Sequence, residues 1–279
     1  MRTTKIEWTE RTWNPVTGCT KRSNGCKHCY AEAMARRLFA MGNYKYRNGF
    51  KNTIHPEALK EPLKWRKSSV VFVCSMGDLF HEDVPFEFVD EVMKVISKTP
   101  LHTYQILTKR AERMAEYFSS RTIPYNVWLG TTVEDISTKF RIDVLRPLSA
   151  TVKFLSCEPL LCDLGTLDLK GIDWIIVGGE SGPIARPMKE EWVLNIKRQA
   201  EDNAIPFFFK QWGTWSKDGI RGNKKKNGKL LQGKIIQQMP KMLYEDFLNT
   251  GKDQIENMNI RKLIGEATAY DKKQQLEIK

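Results

Sequence analysis

An α/β fold built on a parallel sheet is predicted by three observations. Six short runs after residue 70 are almost wholly apolar, as strands buried on both faces are. The segments between them carry apolar residues at i, i+3, i+4 and i+7, the spacing of helices with one buried face. Strand and helix alternate, which argues for helical crossovers between parallel neighbours.

The six runs are Val70–Ser75, Tyr104–Thr108, Asn126–Thr132, Val152–Ser156, Trp174–Gly179 and Pro206–Gln211. "NPVTG", Asn14–Gly18, is a candidate for a short strand before them. Val89, Val92, Met93 and Ile96 mark one helix, and Ala111, Met114 and Phe118 a second. Ile136, Phe140 and Val144 share the face of a third, which Pro147 stops. Trp192, Ile196 and Ala200 mark another. Near the start, Ala31, Met34, Leu38 and Met41 form an apolar stripe that Gly42 ends.

Each strand ends in a change of chemistry. Ser75-Met76-Gly77-Asp78, Thr108-Lys109-Arg110, Thr131-Thr132-Val133-Glu134, Ser156-Cys157-Glu158 and Gly178-Gly179-Glu180 follow five apolar runs in succession. One such switch is only the chain reaching water or capping a helix. Five together, carrying Asp78, Lys109, Glu134, Glu158 and Glu180, describe the rim of a polar pocket at the carboxyl ends of the strands.

The loop between the first strand and the first helix reads "GCTKRSNGCKHCYAE". Cys19, Cys26 and Cys29, half of the six cysteines, lie there within eleven residues. Three readings stay open. Three thiolates hold three corners of a cubane cluster and leave one iron uncovered. Alternatively, Cys26-x2-Cys29 is a zinc half-site, with Cys19 and His28 or His55 to complete it. The third reading is reduced bystander thiols. Cys74 and Cys157 sit near strand ends. They read as small buried hydrophobes or as catalytic donors of a hydrogen atom to a substrate radical.

Composition narrows the class. The 279 residues are 41% apolar and contain no run long and apolar enough for a membrane span. "MRTTKIEWTE" lacks a signal-peptide core, so a cytoplasmic protein is expected, where thiols serve as ligands rather than disulfides. Lys and Arg number 45 against 33 acids, a net +12. That surplus suggests an anionic partner, nucleic acid first. It concentrates in Thr214–Lys234, which has seven cations and one acid. Two regions are expected: 1–213, the α/β barrel with its cysteine loop at 18–30, and 214–279, a basic extension.

The segments "WTERTWNPVTGCTKRSNGCKHCYAE", "FVCSMGDLFHEDVP", "LGTTVED", "FLSCEPLL", "WIIVGGESG" and "PFFFKQWG" closely resemble a family of phage and prophage proteins with a three-cysteine motif. More broadly the chain resembles the radical S-adenosylmethionine superfamily. Its cysteine spacing, C-x6-C-x2-C, is longer than the usual C-x3-C-x2-C, and His28 replaces the usual aromatic. The resemblance implies a partial (β/α)6 barrel with a [4Fe–4S] cluster on Cys19, Cys26 and Cys29. It implies S-adenosylmethionine as a second cofactor, cleaved to a 5′-deoxyadenosyl radical, with an external electron donor. Radical enzymes that repair linked thymines use a serine and a lysine on the second and third strands for the methionine end, and Ser75 and Lys109 occupy similar places. Asp78 or a carbonyl near it is expected to accept from the ammonium, Gly178 and Gly179 to approach the adenosine, and Gly77, Thr131, Glu134, Glu158 and Glu180 to complete the site. The expected substrate is a nucleic acid or nucleotide, undergoing base repair or modification. The alternatives are a radical enzyme on a peptide or small metabolite, and a non-enzymatic zinc protein that binds nucleic acid.

Overall fold

The computed structural model describes residues 4–240. Seven strands form one parallel sheet whose spatial order follows the chain: β1 (Arg11–Trp13), β2 (Val70–Val73), β3 (Thr103–Thr108), β4 (Val127–Thr132), β5 (Val152–Cys157), β6 (Trp174–Gly178) and β7 (Phe207–Gln211). Helices lie in every connection but β5–β6: α1 (Tyr30–Ala40), α2 (Phe86–Lys98), α3 (Ala111–Phe118), α4 (Phe140–Leu145) and α5 (Glu190–Asp202). The sheet curls into a half-barrel. The α/β class and the partial barrel of the radical S-adenosylmethionine type are therefore as expected, with seven strands where (β/α)6 counts six.

Strand alternation divides the core in two. Val71, Val73, Tyr104, Ile106, Val127, Leu129, Leu155, Ile175, Val177, Phe207 and Phe209 face the helices and pack with Val89, Met114, Ile142, Val193 and Ile196. Their strand neighbours Phe72, Trp128, Phe154, Trp174, Ile176 and Phe208 face the concave side, where Trp8 joins them. Trp174 is the centre of that cluster, with the rings of Trp8, Trp128, Phe154 and Phe208 between 5.6 and 6.3 Å away. These aromatics fill the amino-terminal half of the barrel interior.

Three expectations need correcting. The first strand of the sheet is Arg11–Trp13, not "NPVTG"; Val16–Thr17 instead pairs antiparallel with Thr53–Ile54 in a separate ladder. In α1 the buried residues are Ala31 and Ala35, while Met34 and Met41 are exposed. Small alanines let the helix approach Tyr46 and Met76 closely. In α4 the buried face is Arg141, Ile142 and Leu145. Ile136 and Phe140 are exposed, because a buried arginine takes the inner position.

No break in packing occurs at residue 213. The segment that follows is tied to β7 by the Trp212 indole donating to the Leu230 carbonyl and Asn227 donating to the Gly213 carbonyl. Residues 236–238 then run antiparallel along β7, with Phe209 N–H donating to Ile236 and Gln238 N–H to Phe207. Lys229 and Gln237 also reach the carboxylate of Glu7, just before β1. The segment thus straps the two free edges of the sheet together, β7 to the approach of β1. The rest of the basic extension, from residue 241 on, lies outside the described residues.

Candidate functional site

The cysteine loop crosses the carboxyl ends of the strands, and buried charges from successive strand ends hold it there. The first contact lies beyond β3, where Arg110 is 2% exposed. Its Nη1 donates to Cys19 Sγ at 3.4 Å, and its Nη2 donates to Thr20 Oγ1 and the Thr20 carbonyl at 2.9 and 3.3 Å. Asp78 and Glu82, beyond β2, hold the same guanidinium at 3.1 and 2.8 Å.

The second contact lies beyond β4. Glu134 is fully buried and pairs with Arg141 at 2.9 Å. Its other oxygen accepts from the Ser23 hydroxyl and from the Gly25 N–H. A side chain at position 25 would meet that carboxylate at 2.9 Å, so the loop can lie this close only through glycine. Asn24 donates to Asp135 at 2.8 Å.

The third contact lies beyond β6. Glu180 binds Arg186 through both oxygens, at 2.6 and 2.9 Å, and lies 3.1 Å from His28 Nδ1. Arg186 in turn donates to the Asn24 carbonyl. Burial disfavours ionisation of Glu180, but the Arg186 side chain and N–H outweigh it and hold the carboxyl below its usual range. Finally, the Tyr30 hydroxyl donates to the Ser75 carbonyl and fixes the start of α1.

Cys19, Cys26 and Cys29 are all reduced and partly exposed. Burial pushes the Cys19 thiol up to about 11, with Asp78 adding to the rise and Arg110 opposing it. Among the described residues, no three His, Cys, Asp or Glu side chains converge on a point that one metal ion would fill. His28 is directed to Glu180, and His55 to Thr17 at 2.8 Å. Neither histidine is placed to complete a zinc tetrahedron with the cysteines. Three separate thiols on one loop are instead a donor set that fits a cluster with one iron bound to each.

The other expected residues divide. Lys109 lies two residues beyond the inward-facing Leu107 and is half-buried. Among the described residues its ammonium has no ion-pair or hydrogen-bond partner. Glu158 pairs with Lys210 at 2.8 Å and accepts from Ser156. Gly178 lies against Glu158, where a Cβ would meet the carboxylate at 2.9 Å. These four positions and Lys109 line the carboxyl half of the concave face, above the aromatics.

Asp78, in contrast, is saturated. It accepts from Thr108 Oγ1, Arg110, Phe80 N–H and Lys109 N–H. The Ser75 hydroxyl is bonded to Asn14, and the Thr131 hydroxyl to the Thr108 carbonyl. Gly77 and Gly179 permit backbone contacts, to Val16 and Trp212 respectively. Cys74 and Cys157 are 3% and 0% exposed and lie in the helix-facing core, away from the concave side. Burial raises both thiols. Both sit in the buried core, the setting of a small hydrophobe. Trp212 is equally buried, so it cannot stack on a base.

Sequence reasoning missed Arg110, Arg141 and Arg186. The available signal was chemical: buried carboxylates at strand ends require cationic partners, and these arginines lie six to thirty-two residues from the acids they serve.

The fold and site define a class: a parallel half-barrel with a reduced three-cysteine loop fastened across its mouth. The chain belongs to the family described as protein of unknown function (DUF5131), whose model matches residues 3–240. No curated protein matches the sequence. Solved structures of similar fold include spore photoproduct lyase complexed with dinucleoside spore photoproduct, at 10% identity and a TM-score of 0.41, over 72% of this chain and 64% of that one. A cysteine-to-serine mutant of the same enzyme matches at 12% and 0.42, over 64% and 60%. A double mutant with bound AdoMet and the dinucleoside matches at 10% and 0.40, over 69% and 61%. Less than two thirds of each of those chains is covered, and the likeness carries no chemistry across.

Proposed function

We propose that this protein is a radical S-adenosylmethionine enzyme that acts on a nucleic acid or nucleotide, as a base-repairing or base-modifying catalyst. The observation that carries the reading is the three-thiol loop, held by charged contacts over a polar layer at the mouth of a parallel half-barrel. Its sequence likeness to the three-cysteine phage proteins supports it. When bound, a [4Fe–4S] cluster would pass an electron from an external donor to S-adenosylmethionine and so produce the 5′-deoxyadenosyl radical.

The chain's own residues have definable tasks. Lys109, whose ammonium has no partner among the described residues, supplies a cation for the carboxylate of the methionine end. Asp78 does not accept the ammonium, since its oxygens are taken; it fixes Arg110 instead. Glu158, Lys210 and Ser156 offer donors and acceptors to a substrate. With aromatics filling the layer below, a substrate meets the polar residues only in the upper layer. A base reached there must be single-stranded or flipped from its stack.

The basic strap supports a nucleic-acid partner. Lys224, Lys225 and Lys226 form a one-turn helix at Lys224–Asn227, all exposed. Lys224 lies near enough to Lys210 and Glu158 to feel their charges.

The test is anaerobic reconstitution with iron and sulfide, followed by S-adenosylmethionine and dithionite. The expected product is 5′-deoxyadenosine, lost in Cys26→Ala and reduced in Lys109→Ala. Stoichiometric zinc without iron, or an iron-loaded protein that forms no 5′-deoxyadenosine, overturns the reading.

A further inference from the structure

We propose that Arg110 is a positioning residue for Cys19, and that it sets the reduction potential of the cluster held by the loop. The inference rests on the cluster reading above and goes beyond it, because it makes the three thiolates unequal.

The geometry is complete on the donor side. A guanidinium has five N–H bonds in a rigid plane. In Arg110 five acceptors surround them: Glu82 at Nε, Asp78 and Cys19 at Nη1, and the Thr20 hydroxyl and carbonyl at Nη2. Few orientations satisfy all five at once, so the side chain is locked. Asp78 is locked as well, by Thr108, Phe80 and Lys109. The ends of two strands therefore fix one cation against one sulfur. Among the described residues, neither Cys26 nor Cys29 receives a cationic donor; Cys26 Sγ is bonded to the Ser23 hydroxyl, at 3.9 Å.

Two consequences follow from the chemistry. A charge-assisted N–H···S bond draws negative charge off the thiolate, which favours an added electron and raises the potential of the cluster. Arg110 is also buried, so solvent screens its effect weakly. Glu82 pulls the other way. Its side chain is 52% exposed, and its charge offsets part of the guanidinium's.

The experiment is redox titration of anaerobically reconstituted protein, followed by electron paramagnetic resonance, in wild type, Arg110→Gln, Arg110→Lys, Glu82→Gln and Arg186→Gln. Arg110→Gln should make reduction about tenfold less favourable, a fall of ~59 mV for one electron. Arg110→Lys keeps the charge but not the five-point contact and should fall between. Glu82→Gln lies on a half-exposed side chain, is expected to fold and load normally, and should shift the potential upward. Arg186→Gln removes a cation that touches the loop but no sulfur, and should move the potential less than half as far as Arg110→Gln. Equal potentials in wild type and Arg110→Gln at equal iron content overturn the proposal, as do equal shifts in Arg110→Gln and Arg186→Gln. If Arg110→Gln fails to load, an unmoved or lowered potential in Glu82→Gln overturns it alone. A wild type that holds no iron overturns the cluster reading itself, which is a separate outcome.

Discussion

The concave face of the half-barrel has two halves of opposite character. Its amino-terminal half is aromatic, closed and uncharged: Trp8, Phe72, Trp128, Phe154, Trp174 and Phe208 pack ring against ring. Its carboxyl half carries Lys109, Ser156, Glu158 and Lys210, with Glu134 and Glu180 behind the loop that spans it. The strands are the same; only position along them differs. The lower half stabilises by area removed from water and by ring contacts, which need no partner outside the chain. The upper half buries charge, which is costly unless each group is paired. Charge is kept where a loop must be held in one place and where a ligand has polar groups to meet.

The sharpest way to break this contrast is to empty the lower half. Trp174→Ala removes the ring that touches four others, and its indole N–H no longer bonds the Gln238 carbonyl at 2.9 Å. A loss of about 4 kcal/mol is expected from such a deletion in a packed core. Chemical denaturation should show it. The same variant, once folded in the cold, should load iron as wild type does, because no contact to the loop has changed. Loss of iron along with stability would mean that the two halves are one cooperative unit.

The converse substitution is Glu134→Gln. It keeps the shape of the side chain and removes the charge that pairs with buried Arg141. Breaking a buried pair costs about 3 kcal/mol, but here the functional effect should exceed the stability effect. Ser23 and Gly25 lose their charged acceptor, and the stretch from Cys19 to Cys26 is freed at its middle. Iron retention should fall several-fold, and Cys26 in the apoprotein should alkylate faster. A variant that keeps full iron content while losing stability would place Glu134 with the structural half.

What the sequence revealed follows the same division. The six later strands are legible because a doubly buried strand is written as a continuous apolar run, and such runs are rare elsewhere. The three cysteines are legible because thiols are scarce. The face of α4 is misread for a physical reason: periodicity places Phe140 inward, whereas Arg141 takes that place to neutralise Glu134. Arg11–Trp13 escapes as a strand because three residues, one charged, are too few for a pattern. The arginines of the loop contacts are illegible because the chain brings them to their acids through tertiary structure. The basic character of the strap is legible in its composition, whereas its attachment to β7 is not. Its pairing with β7 depends on Ile236 and Gln238, which have no strand signature of their own.

That strap gives the weakest expected effect and the one most specific to the upper half. Lys224, Lys225 and Lys226 stand exposed on a turn of helix capped by the Asn223 side chain. They make no contact on which the barrel depends, whereas Lys229 ties the strap to Glu7 at 3.0 Å. Replacing the three by Ala should leave stability within about 0.5 kcal/mol, as at other surface positions. If they hold phosphates of a single strand, each contributes about 0.7 to the dependence of log affinity on log salt, so the slope should fall by about 2. S-adenosylmethionine cleavage without substrate should be unchanged, because the lysines lie outside the cofactor positions. Lys229→Ala should do the reverse, loosening the strap at little change in slope. A triple variant that binds a single-stranded oligonucleotide with the wild-type slope would move the anionic contacts off the strap. The open groove of about 580 Å³ on the outer flank of the cysteine loop, where Lys21, Arg22 and Lys27 line one wall, would then be the next surface to neutralise.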